Sequence, residues 1–171
     1  MKKIFLFTVV ILSLISTNVY SNTTKEISEK QLIEIYTVAL DSFVPKKEGI
    51  NIYNKDYLAI DMSSTFFDSI LQEGKQQILD YFKNKYNMEV MNASVDTLKE
   101  KGLASKYGTL KYNGKRGLLL FISDVKFKSE SEAVINGSWY VSGVAGESYK
   151  SRIVLKNGKW ILQERIWIGI S

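Results

Sequence analysis

One short turn, Lys156-Asn157-Gly158-Lys159, constrains the end of the chain more than any other feature. Asn-Gly accepts the positive φ angles that a two-residue type I′ turn demands, so the segment predicts a tight β-hairpin. The turn also fixes four facing pairs of side chains in the two strands. These pairs are Leu155 with Trp160, Ile153 with Leu162, Ser151 with Glu164, and Tyr149 with Ile166.

From Gly117 onward, apolar and polar residues alternate between turn residues, which is typical of an antiparallel meander of about four strands. In the first strand, one face is expected to carry Leu119, Phe121, Val125 and Phe127. In the second, it is expected to carry Ala133, Ile135, Trp139 and Val141. The last third of the chain is therefore predicted to form a sheet.

The N-terminal half has helical patterns instead. Ser28 and Gln31 have the spacing of a capping box, and Pro45 is expected to end the helix that follows. A second helix is predicted over Gln72–Tyr86, and a short third helix after Ser94, with one short buried strand over Tyr57–Met62. Together these elements predict an α+β domain with N-terminal helices packed on a curved antiparallel sheet.

The first residues predict export. Met1-Lys2-Lys3 is basic, and Ile4–Ile15 is an apolar run of signal-peptide length, too short to span a bilayer stably. We expect a signal peptide over residues 1–21, cleaved after Ser21, and a single domain over residues 22–171. The protein is then periplasmic or secreted, with no stable membrane insertion after cleavage.

The chain has no cysteine, so it has no disulfides and no lipoprotein-type anchor, and its apolar core must hold the fold. The net charge of +5 is uneven: residues 22–100 hold 9 lysines against 13 acidic residues, while residues 101–171 hold 12 basic against 5 acidic residues. This asymmetry fits either a basic face for an anionic polymer or two halves that pack together. The basic residues are scattered singly, which favours packing, and we expect no nucleic-acid partner.

The absence of histidine and cysteine excludes Ser-His-Asp and Cys-His catalysis and zinc sites built on those ligands. The glycine-rich segment from Gly137 to Ser151 does not form a phosphate loop, because Gly143 and Gly146 lack the required spacing and a strand follows them. Ser148 and Lys150 are two residues apart in a predicted strand, which does not suit a Ser-Lys pair. We expect no cofactor and no metal.

Carboxylate chemistry is still possible, because a glycosidase needs only two acids across a cleft. Glu164 is the best candidate acid, since the predicted pairing places it on an apolar face where an unpaired charge would be costly. Asp124 interrupts the face of Leu118, Leu120 and Ile122, and is the candidate second acid. Glu164 is better explained by a position that reaches solvent or pairs with a lysine or arginine, and Asp124 is explained equally well by an edge position that faces water.

Aromatic and polar residues near Glu164 give a candidate ligand site. Ser151 is expected opposite Glu164, with Tyr149 diagonal to it and Trp160 on the same face. Aromatic rings in strands also serve core packing, which is the expected role of Trp139 and Trp160. Trp167 shares a face with Ile161, Gln163 and Arg165, which is predicted to be the outer side. It is either a contact residue or packs beneath the first helix.

Two resemblances add to this picture. The order of elements resembles the cystatin-like and nuclear transport factor 2-like cone folds, in which helices cover the concave side of a bent sheet and often leave a pocket. The segments "YLAIDMSS", "QQILDYFKNKYNMEVMNAS", "LKEKGL", "SGVAG", "LKNGKW" and the closing "WIGIS" resemble a group of small exported or membrane-anchored bacterial proteins of unknown function. The second resemblance implies a shared fold and carries no catalytic signature.

The leading hypothesis is a non-catalytic binding module for a small molecule or an envelope protein. One alternative is a carboxylate-dependent hydrolase of cell-wall glycan that uses Glu164 and Asp124. The other is a protein-interaction or inhibitor module that uses an exposed face of the sheet. The residues leave the identity of the partner and the oligomeric state open.

Overall fold

A computed structural model of the chain describes residues 27–46 and 51–170, so the predicted signal peptide lies outside the described residues. Helices and strands are both present, which confirms the α+β class. The helices are α1 (Glu29–Phe43), α2 (Gln72–Tyr86) and α3 (Val95–Glu100). The strands are β1 (Tyr57–Asp61), β2 (Glu89–Asn92), β3 (Lys111–Tyr112), β4 (Lys115–Ser129), β5 (Glu132–Ser142), β6 (Ala145–Lys156) and β7 (Lys159–Ile170).

The helix ends follow the predicted capping signals. The Ser28 hydroxyl accepts a hydrogen bond from the Gln31 backbone N–H, and the Gln31 side chain accepts one from the Ser28 N–H, which completes the capping box. Helix α1 ends two residues before Pro45. Ser94 caps α3, and Gly102 follows that helix with a φ of 66°.

The strands form one mixed sheet in the order β2-β1-β4-β5-β6-β7, with β3 paired to β4 at one end. Strand β1 runs parallel to both β2 and β4, while β4 to β7 are antiparallel. The sheet therefore has seven strands: β4 to β7 form the predicted antiparallel meander, and the predicted total of about four is too low. The signal for β1 and β2 was weak because parallel strands are joined by crossovers and leave no hairpin turn. Strand β3 is only two residues long and is joined to β4 by an Asn113-Gly114 turn.

Side chains pack on both faces of the sheet. We call the face beneath α1 the helix face and the opposite one the outer face. The large cluster on the helix face joins α1 and α2 to β-strand residues such as Leu118, Leu120, Ile135 and Ile153. A smaller cluster on the outer face packs α3 and the loop after it against Tyr57 and Leu119. Different elements thus cover the two faces of the sheet.

A bulge in β4 changes the predicted faces of this strand. The pairing with β5 shifts between Ile122 and Asp124, so one extra residue lies in β4. Phe121 consequently packs in the outer cluster, while Val125 packs against the helix-face cluster. The prediction that Leu119, Phe121, Val125 and Phe127 share one face is wrong, whereas Ala133, Ile135, Trp139 and Val141 do all pack toward the helix face.

Candidate functional site

The structure separates the residues that the sequence grouped into one site. Ser151 and Tyr149 are buried on the helix face of β6. Trp160 is buried at the start of β7. Glu164 is exposed, and Asp124 is partly exposed. Glu164 therefore does not lie with Ser151, Tyr149 and Trp160, as the regular register of the hairpin predicted.

The cause is a bulge in β7. The turn itself is as predicted, since Asn157 and Gly158 have φ angles of 53° and 74°, and Leu155 pairs with Trp160 and Ile153 with Leu162. Between Ile153 and Arg152 the pairing shifts by one residue, which leaves Gln163 as the extra residue. The later pairs change as a result: Arg152 faces Glu164, Ser151 faces Arg165, Lys150 faces Ile166 and Tyr149 faces Trp167.

The shifted register places Glu164 on the outer face. Its direct neighbour is Arg152, which forms a bidentate ion pair with Glu132 at two N–O distances of 2.9 Å. The hydrogen bonds from Arg152 lower the pKa of Glu132, and the same contact raises the pKa of Arg152, with a further contribution from Glu164. Glu164 thus belongs to a solvent-exposed charge network, and the bulge keeps its carboxylate out of the core.

Asp124 lies far from Glu164. The β4 bulge moves it away from the face of Ile122, and its carboxylate accepts from Asn136 Nδ2 at 3.3 Å and pairs with Lys126 Nζ at 3.1 Å. Strands β5 and β6 separate the two acids, which corresponds to three strand spacings or roughly 14 Å. Glycosidases hold their two carboxyl groups within about 10 Å. This geometry does not fit a glycosidase pair.

Ser151 and Tyr149 instead join a polar cluster at the end of α1, which we call the Arg165 cluster: Ser42, Glu147, Tyr149, Ser151 and Arg165. The Arg165 guanidinium lies 4.5 Å from the centre of the Tyr149 ring and donates through Nη1 to the Ser42 carbonyl at 2.6 Å. That carbonyl is in the last turn of α1. Arg165 therefore caps the helix C-terminus, where a cation is favoured.

The other side of the cluster is centred on the Glu147 carboxylate. Its Oε2 atom accepts from Trp139 Nε1 at 3.3 Å and also from the Tyr149 hydroxyl. Burial and the hydrogen bond to Glu147 raise the pKa of Tyr149, so this phenol stays protonated at neutral pH and acts as a donor. Trp167 lies directly opposite Tyr149 and is 53% exposed. The cluster contains one cation and one buried aromatic ring, and the exposed ring of Trp167 lies beside it on the same face of β7.

Within the described ranges, no carboxylate lies within ion-pair distance of Arg165. Sequence reasoning placed Arg165 on the outer side and left Ser42 unmentioned. The signal that could have found Arg165 is the run "LQERIW": strict alternation from Trp160 turns Glu164 toward the helix face, and a bulge turns Arg165 there instead.

Trp160 borders a second feature, a surface cleft of about 560 Å³ between α1, α2 and the β6–β7 turn. The cleft is lined by Ile33, Glu34, Thr37, Val38, Gln77, Tyr81, Gly158, Lys159 and Trp160. The Trp160 Nε1 atom is buried and has no hydrogen-bond acceptor in the described part of the protein. Buried donors without a partner are uncommon, so this cleft is a second candidate site.

The feature that sequence reasoning missed is the free edge of β7. This strand is last in the sheet order, and no backbone hydrogen bond joins it to described residues outside β6. Six of its large apolar side chains are exposed: Ile161, Leu162, Ile166, Trp167, Ile168 and Ile170. The sequence signal is that the final strand is apolar on both faces. A strand with one face in solvent usually alternates apolar and polar residues.

Residues 27–46 and 51–170 contain no group of three acidic side chains arranged to hold a metal ion. No helix in these ranges is long and apolar enough to cross a membrane.

No protein-family model matches the chain, and neither the curated proteins nor the solved structures yield a match. The resemblance to small exported bacterial proteins therefore stays a prediction. The features of the molecule that bear on function are the Arg165 cluster, the cleft beside Trp160 and the free edge of β7.

Proposed function

We propose that the protein is a non-catalytic binding module that takes a polypeptide partner along the free edge of β7. The observation that carries this proposal is a 12-residue edge strand with six exposed large apolar side chains. Folded proteins usually shorten, charge or cover such an edge, because its unpaired N–H and C=O groups pair readily with other strands. An edge this long and apolar is expected to have a partner.

Pairing with one added strand would give partners to the unpaired backbone groups of β7 and would also bury its exposed apolar side chains. The backbone groups of β7 that point away from β6 would gain hydrogen bonds, which supply affinity in strand-addition complexes. The apolar side chains would be removed from water at about 25 cal/mol per Å² of apolar surface. Ile166 on the outer face and Trp167 on the helix face would both contribute, so the partner would be recognised on two sides.

The interior of the fold supports binding at the edge over binding inside a cone. The space between α1 and the sheet is occupied by fully buried side chains, among them Phe43, Leu40, Ile35 and Trp139. Within the described ranges Arg165 has no carboxylate partner, and it lies on the same face of β7 as the exposed Trp167. An extended segment with apolar residues and a carboxylate would complement this strand.

The test compares three proteins in envelope extract of the cells that produce them: wild type, Ile166→Lys and Leu71→Lys. Leu71 is 68% exposed at the start of α2, outside the sheet, and serves as the matched control. We expect wild type and Leu71→Lys to retain the same bound polypeptide and Ile166→Lys to lose it. Equal recovery with all three proteins would contradict the proposal, and so would no recovery with wild type.

The Trp160 cleft supports a second candidate function, the binding of a small apolar molecule that carries a hydrogen-bond acceptor. The supporting observation is the buried, unpaired Trp160 Nε1 atom beside the cleft. Lys159 at the mouth favours an anionic acceptor such as a carboxylate. Medium-chain fatty acids are a suitable probe: they should raise the melting temperature of wild type more than that of Trp160→Phe. Equal shifts would argue against this candidate.

The carboxylate-dependent hydrolase is not proposed further, because the separation of Asp124 and Glu164 is too large. We do propose that the sheet is bent as in the cystatin-like and nuclear transport factor 2-like cones. Support comes from the bulges in β4, β5 and β7, since bulges bend the strands that contain them. An experimental structure superposed on members of both families would test this.

Export is also a proposal. Its support is the basic start and the apolar run Ile4–Ile15. Sequencing the N-terminus of the accumulated protein should give Asn22 as the first residue, whereas an intact Met1 would contradict it.

A further inference from the structure

We infer that the polypeptide taken along β7 is a second copy of this chain, paired antiparallel through a two-fold axis that passes Ile166. This inference rests on the proposed function and names the partner at the same edge. A two-fold interface is self-complementary, so the same strand supplies both sides of the contact. The two sheets would then continue into one another across the paired β7 strands.

The charges of β7 favour this arrangement. Between Trp160 and Ile170 the strand holds one acidic residue, Glu164, and one basic residue, Arg165. This segment is therefore neutral and largely apolar. A neutral apolar strand can lie against its own copy without a net charge penalty.

The same two charges also select the register. A two-fold axis at Glu164 or at Arg165 would place like charges directly opposite each other, which is destabilising in a sheet. An axis at Ile166 pairs Ile166 with itself and places Arg165 opposite Trp167 of the second copy, twice. Arg165 already stacks on Tyr149 and has no carboxylate partner within the described ranges. The exposed ring of Trp167 offers it a second cation–π contact.

The opposite edge of the sheet differs from β7. Strand β2 has four residues, begins with the exposed Glu89 and is flanked by α2, which precedes it in the chain. Short, charged edges resist pairing with other strands. Strand β7 has 12 residues, and its last 11 contain no lysine or proline and only two charged side chains, Glu164 and Arg165. Only one of the two edges is thus suited to self-pairing.

The absence of cysteine makes a clean crosslinking test possible. Two single-cysteine variants are compared, Ile166→Cys and Ile161→Cys, both at exposed positions on the outer face of β7 (45% and 37% exposed). With the axis at Ile166, two cysteines at 166 lie opposite each other within reach of a disulfide, while two at 161 lie ten strand positions apart. We expect oxidation to give a covalent dimer of the 166 variant and none of the 161 variant.

The second measurement is the sedimentation of the protein, purified in the form that the cells accumulate, at concentrations from micromolar to submillimolar. Wild type and Leu71→Lys should reach twice the monomer mass, and Ile166→Lys should remain monomeric. A wild type that is monomeric throughout overturns the second copy, while the extract experiment can still support β7 as the binding edge. A dimer that Ile166→Lys does not disrupt, or that crosslinks through 161, overturns the inferred interface. If the extract experiment shows no binding that depends on Ile166 while wild type is still a dimer, β7 is not a binding edge for other polypeptides. That result leaves the pairing of two copies through β7 intact.

Discussion

The hydroxyl oxygens of Ser42 and Ser151 lie 2.6 Å apart, although 109 residues separate them in the chain. Both side chains are buried. The Ser42 hydroxyl also donates to the Ala39 carbonyl at 2.6 Å, so Ser151 acts as the donor in the serine pair. This pair connects the last turn of α1 to the middle of β6, and it gives Ser151 a structural partner.

Replacing Ser42 with alanine should lower the free energy of unfolding by about 1–3 kcal/mol, because the Ser151 hydroxyl then loses its acceptor in a buried position. The double variant Ser42→Ala/Ser151→Ala should lose less than the sum of the two single variants, since no orphaned donor remains. Urea unfolding of the four proteins measures the coupling. Strict additivity would show that the serine pair is not a stabilising contact.

Local signals in the sequence predicted the elements well and the faces of two strands poorly. The capping box at Ser28 and the Asn-Gly turn depend on a few adjacent residues, and both are present in the structure. Whether a bulge forms depends on which strand register buries less charge once α1 covers the sheet. The packing of α1 on the sheet involves residues far apart in the chain. The pairing of Ser151 with Glu164 failed for this reason.

The candidate site could be predicted only in part. Tyr149, Ser151 and Trp160 were identified as inward-facing residues, which their burial supports. Ser42 could not be linked to them, because nothing in a helix pattern specifies which strand its last turn will touch. The parallel pairing of β1 with β4 was missed for a similar reason, and with it the fact that β7 forms the far edge of the sheet.

Deletion of Gln163 tests the role of the β7 bulge. Without this residue the regular pairing set by the turn matches Arg152 with Glu164 and Ser151 with Arg165, as in the native sheet, so Glu164 stays on the outer face. Deletion therefore removes the bulge and keeps the faces of the strand. We expect the unfolding free energy to change by less than about 2 kcal/mol, because no charge becomes buried and the backbone pairing with β6 is kept.

Gln163→Ala is the matched control for that deletion, because it keeps the length of the strand. Its unfolding free energy should stay within about 0.5 kcal/mol of wild type, as for most exposed substitutions. A loss of more than about 3 kcal/mol in the deletion variant, with the control unchanged in urea, would contradict the register in which Gln163 is the extra residue.

The substitution Arg165→Met tests the helix cap. Methionine keeps an apolar stem of similar length but loses the hydrogen bond to the Ser42 carbonyl and the stacking of the cation on Tyr149. We expect a loss of about 1–2 kcal/mol in unfolding free energy. Glu164→Gln, the neighbouring exposed position, should change it by less than about 0.5 kcal/mol. The reverse order of the two effects would contradict the assigned roles.

The buried phenol of Tyr36 predicts a loss of stability in alkali. Burial raises the pKa of Tyr36 from its ordinary value of 10.0 to about 12. The unfolded chain therefore loses this proton at lower pH than the folded protein, so the stabilising effect is complete below pH 10 and is lost as the pH rises toward 12. Wild type should lose up to about 2 kcal/mol more than Tyr36→Phe over this range. Tyr53→Phe, which alters an exposed ring, should follow wild type, and parallel pH curves for wild type and Tyr36→Phe would show that burial of this phenol is not linked to folding.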